Sequence, residues 1–430
     1  MSKRILLIGN NFAPEPTGIG KYSGEMVEWL VDKGYECSVI TTYPYYPFWA
    51  VQEPYRKNRF WYKKESEKLK SGGSIEIFRC PMYVPAEPSG GKRIISEATF
   101  FTSAFVQLFR LLFRKKYDVV VTVVPSFQIG FLGRLYKSLR KAKFVYHIQD
   151  LQIEAARDLQ MIRSGRLIDF LLKVEKYFFD GADVISSISE GMVSKIKEKA
   201  GREIFLLPNW SDTTFFYPVK EKKNLKESFG FSETDKILLY SGAIGEKQGL
   251  EAILQVAGDF QQDENTKFVI CGSGPYKKKL QDLAEKRNLD NVIFFPLQPT
   301  EKFNDFLNIA DVHLVIQKAS ASDLVMPSKL TTILAVGGVA LITANRGSGL
   351  QKVVEKYKMG YVVKAEDLAA LKEGIVRALN SPEGSLMRKN ARYYAQKYLS
   401  IDNVMTSFEN HVLREEKTIQ ETYETQRLNL

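Results

Sequence analysis

Three cysteines and three histidines are all that 430 residues contain. Cys37, Cys80 and Cys271 lie far apart and form no CxxC pair. They give no disulfide framework and no thiolate metal site, and they suit a reducing compartment. His147, His313 and His411 are equally scattered, which argues against a zinc centre. No D-x-D triplet occurs, so nothing in the chain marks a bound metal–diphosphate pair. No run of 18 or more apolar residues exists, which excludes a spanning helix. The start, Met1-Ser-Lys-Arg4, resembles the n-region of an export signal. Its apolar run, Ile5–Ile8, ends after four residues at Gly9-Asn10-Asn11, so it reads as a first buried strand.

What is present is an ordinary globular composition, 44% hydrophobic and 12% aromatic. The chain is too long for one core, so two domains are expected. Net charge is +11, and it is unevenly spread. Residues 1–210 hold 32 Lys and Arg against 22 Asp and Glu, whereas residues 211–430 hold 29 against 28. A basic first half suits an anionic surface such as membrane headgroups, nucleic acid or a phosphorylated acceptor.

Apolar runs alternate with longer amphipathic stretches from end to end, the pattern of an α/β protein with parallel sheets. In the first half, strands are predicted near 4–9, 37–41, 74–80, 118–124, 143–148, 184–188 and 204–208. Helices fall between them, for example over 19–33, 93–115 and 165–180. Val119–Val124 is apolar throughout but for Thr122, as in a sheet covered on both faces. Pro208–Pro218 and the charged stretch Lys220–Lys226 mark a break. A second series begins there, with strands near 236–241, 267–271, 292–295, 311–316 and 339–343 and helices near 249–260, 276–287, 301–309 and 328–336. The expected domains are 1–212 and 213–395, with a helical tail over 396–430 whose end, 415–430, is polar enough to fray. In parallel sheets ligands bind beyond the carboxyl ends of the strands, so motifs just after strands carry the chemistry.

Asn10–Lys21 comes after the first strand and contains Gly18-Ile19-Gly20. It is a poor dinucleotide fingerprint: the turn is too long, Ser23 takes the third glycine's place, and no acid follows the second strand. The alternative is a long glycine-hinged loop over a cleft, where backbone amides approach a substrate. His147-Ile-Gln-Asp150 ends another strand. His147 reads either as an acid, base or sugar donor oriented by Asp150, or as a satisfied structural histidine.

Gly242-Ala-Ile-Gly-Glu-Lys-Gln-Gly249 joins a strand to a helix. Glycine amides beside Lys247 can cradle a phosphate, although the spacing is not that of a Walker A loop. Cys271-Gly-Ser-Gly-Pro275 repeats the arrangement. Asp323–Gly338 runs through Pro327 into an apolar segment closed by two glycines, the asymmetry of a helix. Its first-turn amides, Ser328 and Lys329 form an anion site, or else it is an amphipathic helix with a solvent-facing lysine. Last, Phe101, Phe105, Phe109 and Phe113 share one helix face beside Arg110, Arg114, Lys115 and Lys116. That face is either core or a membrane-interface stripe.

Taken together these motifs resemble glycosyltransferase family 4, over nearly the whole chain. The residues that carry the resemblance are the Gly18–Gly20 loop, Pro208-Asn209, Gly242…Lys247-Gln-Gly249, Gly272-x-Gly274-Pro275 and Pro327-Ser-Lys-Leu330…Gly337. Asn10–Gly20, His147–Leu151 and Met326–Leu330 are most similar to the colanic-acid-type branch of fucosyl or related deoxysugar transferases. The resemblance implies a GT-B fold, two Rossmann-like domains facing across a cleft, with a nucleotide-sugar donor held mainly by the second. It implies that Lys247 and the helix start Ser328-Lys329-Leu330 hold the diphosphate, that Gly242 and Thr332 also bind the donor, and that the Gly272–Pro275 loop, with Gly272 and Gly274, and the segment near Leu297 border the nucleotide. Gly18, Ile19, Gly20 and His147 would face the transferred sugar and acceptor. Reaction would be metal-independent and retaining, with no cofactor beyond a GDP- or UDP-linked donor. Two departures stand out. Family members carry a pair of glutamates eight residues apart; here the second position is Thr332 and the first falls near Asp323–Leu324. Members also carry an arginine before the loop lysine, and Gly242–Gly245 has none.

The expectation is a cytoplasmic hexosyltransferase at the inner face of a membrane. It would move a hexose or 6-deoxyhexose to a saccharide, lipid-pyrophosphate linked, in surface polysaccharide synthesis. A nucleotide-sugar epimerase on the same fold and a non-catalytic, membrane-docked assembly partner are the alternatives. The basic residues lack a nucleic-acid motif.

Overall fold

The computed structural model describes residues 2–16, 18–87, 89–154, 164–220, 224–319 and 327–414, with the Lys247 side chain left aside. Asp323–Leu324, where the first family glutamate falls, and the polar end 415–430 lie outside these residues. The chain divides into two compact units, residues 1–207 rejoined from Met405, and residues 208–404.

The first unit is built on an eight-stranded sheet. Its strands are β1 (Arg4–Gly9), β2 (Glu36–Thr42), β3 (Lys63–Lys68), β4 (Ser74–Cys80), β5 (Val119–Val124), β6 (Lys143–Ile148), β7 (Val184–Ser187) and β8 (Phe205–Leu206). They lie in the order β3-β4-β2-β1-β5-β6-β7-β8. All pairs are parallel except β3 with β4. Every residue of β5 is buried, as its β-branched run requires of a strand covered on both faces. β3 is an edge strand reading Lys-Lys-Glu-Ser-Glu-Lys, mostly exposed. It has no apolar alternation for a sequence pattern to find, and its charges protect the edge.

Three helices of this unit border its candidate surfaces: α1 (Gly18–Asp32), α2 (Gly90–Leu111) and α3 (Gly130–Arg140). In α2 the buried positions are Ser96, Phe100, Ser103, Ala104, Gln107, Leu108 and Leu111. The phenylalanines at 105, 109 and 113 are therefore not core. They stand 38%, 54% and 78% exposed. Phe101 is half-buried, its ring 6.1 Å from that of Phe131 on α3.

The second unit holds β9 (Lys236–Ser241), β10 (Thr266–Cys271), β11 (Val292–Phe295), β12 (Val312–Val315), β13 (Ala340–Ala344) and β14 (Gly360–Lys364). The order is β11-β10-β9-β12-β13-β14, and every pair is parallel. Helices on both faces cover it, including Glu251–Ala257, Lys277–Lys286, Thr300–Asn308 and Ser328–Ala335. Strand order reverses beside β1 in one sheet and beside β9 in the other. These are the switch points where an open α/β sheet offers a crevice at its carboxyl edge.

The division falls earlier than residue 212 because 208–213 is bonded into the second unit. The Ser211 amide donates to the Leu399 carbonyl at 2.8 Å, and the Arg392 guanidinium donates to the carbonyl oxygens of Thr213 and Phe216. The segment after Val404 is likewise part of a core and not a free tail. Met405, Phe408, Val412 and Leu413 are buried. The Tyr35 hydroxyl donates to Glu409, the Lys143 ammonium to the Val412 carbonyl, and His411 stacks on Phe205. Among the described residues no helix is long and apolar enough to cross a membrane.

Candidate functional site

At the carboxyl edge of the second sheet the loops after β9 and β10 interlock backbone to backbone. The Gly242 amide donates to the Cys271 carbonyl at 3.0 Å, and the Ile244 amide to the Ser273 carbonyl at 2.9 Å. A Cβ on Gly272 would lie 1.9 Å from the Gly242 carbonyl oxygen. One on Gly274, at φ +154°, would lie 2.1 Å from the Ile244 carbonyl oxygen. Both positions demand glycine because another main chain fills the space. The Gly245 amide donates to the Gln248 side chain, and the Gly249 amide to the Glu246 carbonyl. The amides of Gly242, Gly245 and Gly249, three glycines expected to face a phosphate, are thus committed within the loops, as is that of Ile244. Leu297 lies beyond β11 and is exposed. The backbone of Lys247 lies in a short 3-10 turn, Glu246–Gln248, and its side chain lies outside the described residues.

The Ser328–Ala335 helix starts against these loops. Its Lys329 ammonium lies 3.8 Å from the centroid of the Tyr240 ring. A Cβ on Gly242 would come within 3.1 Å of the same nitrogen, so the glycine makes room for the lysine. The Tyr240 hydroxyl donates to the Ala243 carbonyl at 2.6 Å, which fixes the ring beneath the cation. Among the described residues no carboxylate and no hydrogen bond meets this ammonium. Burial alone pushes it down to about 7. An ammonium held off water with only a ring face beside it is short of counter-charge.

The rest of the helix start complements it. The Leu330 amide is used by the Pro327 carbonyl and its side chain is fully buried. Ser328, the first helical residue, is exposed with its amide in the first turn, where amides lack intrahelical partners. The Thr332 hydroxyl donates to the Lys329 carbonyl at 2.9 Å. It fills the family's glutamate position with a group turned onto its own helix. Two participants had no sequence signal. Tyr240 reads as an ordinary strand residue, and Lys318 lies along Gly249, where a Cβ would meet its Cγ at 3.1 Å.

In the first unit, His147 is the penultimate residue of β6, between β5 and β7, and is 2% exposed. Its Nδ1 shares a hydrogen bond of 3.0 Å with the Ser186 hydroxyl, and burial pushes its pKa down to about 4. This imidazole is neutral at physiological pH. Burial raises the pKa of Glu97 on α2, and the charge of half-buried Asp150 raises it further. Glu97 accepts hydrogen bonds from Ser126 and Gln152, beyond the ends of β5 and β6. Gly18, Ile19 and Gly20 form the first turn of α1 and not a free loop. Gly20 is needed because the Glu15 carboxylate packs on it, 2.4 Å from where a Cβ would stand. That buried carboxylate accepts from the amides of Tyr45 and Tyr46 and from Asn11, tying the loop after β1 to the loop after β2. A pairing across 30 residues of sequence leaves no local pattern to read.

Comparison with known proteins divides along the same two units. Residues 17–210 match the family described as glycosyl transferase 4-like domain, and residues 221–398 match glycosyl transferases group 1. Over 417 residues the chain is 39% identical to WcaI of Escherichia coli K12, a glycosyl transferase named for colanic acid biosynthesis, covering 95% of this chain and 99% of that one. The sucrose-phosphate synthase of Thermosynechococcus elongatus is similar in structure, with TM-score 0.72 at 16% identity over 98% of this chain and 100% of that one. HepE of Anabaena, solved in complex with UDP, gives TM-score 0.67 at 11% identity over 95% and 99%. These structural likenesses carry the fold.

Proposed function

The chain belongs to glycosyltransferase family 4, with the GT-B fold, and on that premise we propose that it moves a hexose or 6-deoxyhexose from a GDP- or UDP-linked donor to a saccharide acceptor in surface polysaccharide synthesis. The acceptor is lipid-linked, and the enzyme works at the cytoplasmic face of a membrane without a metal and with retention at the anomeric carbon. The kinship with a protein named for colanic acid biosynthesis supports the polysaccharide role.

One observation carries the donor assignment: the Lys329 ammonium, uncompensated among the described residues, lies at a helix start beside Gly242 at the sheet's switch point. When the bond between the anomeric carbon and the diphosphate breaks, the leaving group gains negative charge. A preorganised ammonium and the first-turn amides of Ser328 and Lys329 stabilise that charge where it develops. Lys247 is the proposed second cation. Thr332 supplies no carboxylate, so stabilisation rests on the cationic side of the site. His147, being neutral, is assigned a hydrogen bond to the sugar, with Asp150 on the acceptor side.

A thermal-shift screen of GDP-fucose, GDP-mannose and UDP-sugars identifies the donor, because a ligand bound to the folded state raises Tm by mass action. With that donor and a polyprenyl-pyrophosphate saccharide, Lys329→Ala lowers kcat/KM by tenfold or more, about 1–3 kcal/mol. Full activity in both Lys329→Ala and Lys247→Ala would remove the diphosphate assignment.

A further inference from the structure

The outward side of the first unit carries aromatic surface that its own core does not use. Phe105 and Phe109 of α2, with Phe113 just past its end, form a ridge that stands clear of its buried face, and Phe109 and Phe113 meet edge to face at 5.3 Å. Beside it, Phe60 and Trp61 project from the loop before β3, 68% and 74% exposed. Tyr62 joins the two: its hydroxyl donates to the Ser103 carbonyl of α2 at 3.1 Å, and Arg110 lies over its ring at 4.6 Å. On the other flank Phe101 of α2 meets Phe131 of α3. Single exposed apolar residues are normal on a protein surface, whereas exposed aromatics grouped on three neighbouring elements mark a contact surface.

Charge decides the partner. Segments 54–64, 90–116 and 130–141 contain fifteen Lys and Arg and a single acid, Glu97. Some of these cations are held internally: Lys63 by Glu65, Lys64 by Glu76, Lys137 by Asp183, and Arg140 by the Leu112 and Arg114 carbonyls just past α2. Lys115 meets Glu36 at 4.0 Å with both side chains largely exposed, a contact of little strength. Arg56, Lys57, Arg110, Arg114 and Lys116 enter no ion pair among the described residues and are exposed. Aromatic side chains insert at the headgroup level of a bilayer, and nearby cations are drawn to anionic lipid. A protein partner would need a matching acidic, aromatic-lined surface; an anionic bilayer offers both chemistries at once. We infer that the Phe60–Trp61 loop and the outer ridge of α2, flanked by α3, form a docking face for an anionic phospholipid surface. This deepens the proposal of a lipid-linked acceptor and rests on it.

The test is co-sedimentation of the full chain with vesicles of phosphatidylglycerol and phosphatidylcholine in equal parts, and with phosphatidylcholine alone. The wild type sediments with the mixed vesicles and is released by high salt. Phe60→Ser with Trp61→Ser, and Phe109→Ser with Phe113→Ser, each lower partitioning at least tenfold. Leu386→Ser, at an equally exposed apolar residue of the second unit, leaves it unchanged. All these side chains are exposed, and unaltered far-UV spectra verify folding. The inference is overturned if either double variant binds as the wild type does. It is also overturned if the wild type ignores anionic vesicles and light scattering shows a dimer that the variants dissociate, since the occupant is then a second copy. Nucleotide-sugar thermal shifts on the same proteins separate the two proposals. Vesicle binding without any donor shift sinks the transferase reading and leaves the face standing; a donor shift without vesicle binding does the reverse.

Discussion

Lys329 joins three facts that no single position in the sequence carries. It lies in the first turn of a helix, it lies on the face of Tyr240, and Gly242 is small enough to let it. Its pKa falls from the ordinary value of 10.5 to about 7 through burial. Between those values the unfolded chain holds a proton that the folded protein lacks, so this residue makes stability rise with pH across that window. A bound diphosphate reverses the preference, because an anion within a few ångströms favours the ammonium. Donor binding therefore takes up a proton. Affinity for the nucleotide diphosphate is greatest below pH 7 and weakens above it, by at most about tenfold per pH unit. Lys329→Arg stays charged throughout and flattens the profile. Titration calorimetry over roughly pH 6 to 9, in buffers of different ionisation enthalpy, checks both the slope and the proton uptake. A flat wild-type profile would show that this ammonium does not meet the ligand.

At the scale of elements, the loops after β9 and β10 behave as one object. The sequence marks both as glycine-rich turns after strands, which is correct, and suggests that the glycines exist to admit a phosphate. The structure gives a different cause for two of them. Gly272 and Gly274 are glycine because the Gly242–Ile244 backbone occupies the place of a Cβ. Substituting Gly272→Ala forces the loops apart and costs about 2–4 kcal/mol, the scale of a strained, over-packed backbone contact. Urea unfolding reads that loss directly. Because Gly242 also flanks Lys329, the same variant loses donor-induced thermal stabilisation; retained stability and donor response would mean that the loops are not coupled. In the first unit, Glu15 plays the comparable tying role, and α2 shows the limit of pattern reading. Its phenylalanine stripe and its buried stripe are both helical faces, and only packing against the sheet chose Phe100, Ala104 and Leu108 as core.

At the scale of the whole molecule the chain begins in one unit, builds a second, and returns. Met405, Phe408, Val412 and Leu413 are each buried. At about 1.5–3 kcal/mol per large apolar side chain, they contribute an amount comparable to the net stability of a domain. Residues 1–207 expressed alone should therefore fail to give a cooperative thermal transition and should bind a hydrophobic dye. A sharp melt from that fragment would show that the return segment is dispensable. By itself, the sequence determined the class of fold and its inventory. Buried strands announce themselves as runs of Val and Ile, amphipathic helices by their period, and phosphate-friendly loops by Gly and Lys after strands. Those signals are local, so a single sequence carries them. It did not determine the edge strand β3, whose residues are charged, or the return after Val404, whose partners are hundreds of residues away. Nor did it determine which cation stands uncompensated. These depend on which surfaces meet when the sheets close, a matter of long-range packing that has no period and leaves no motif.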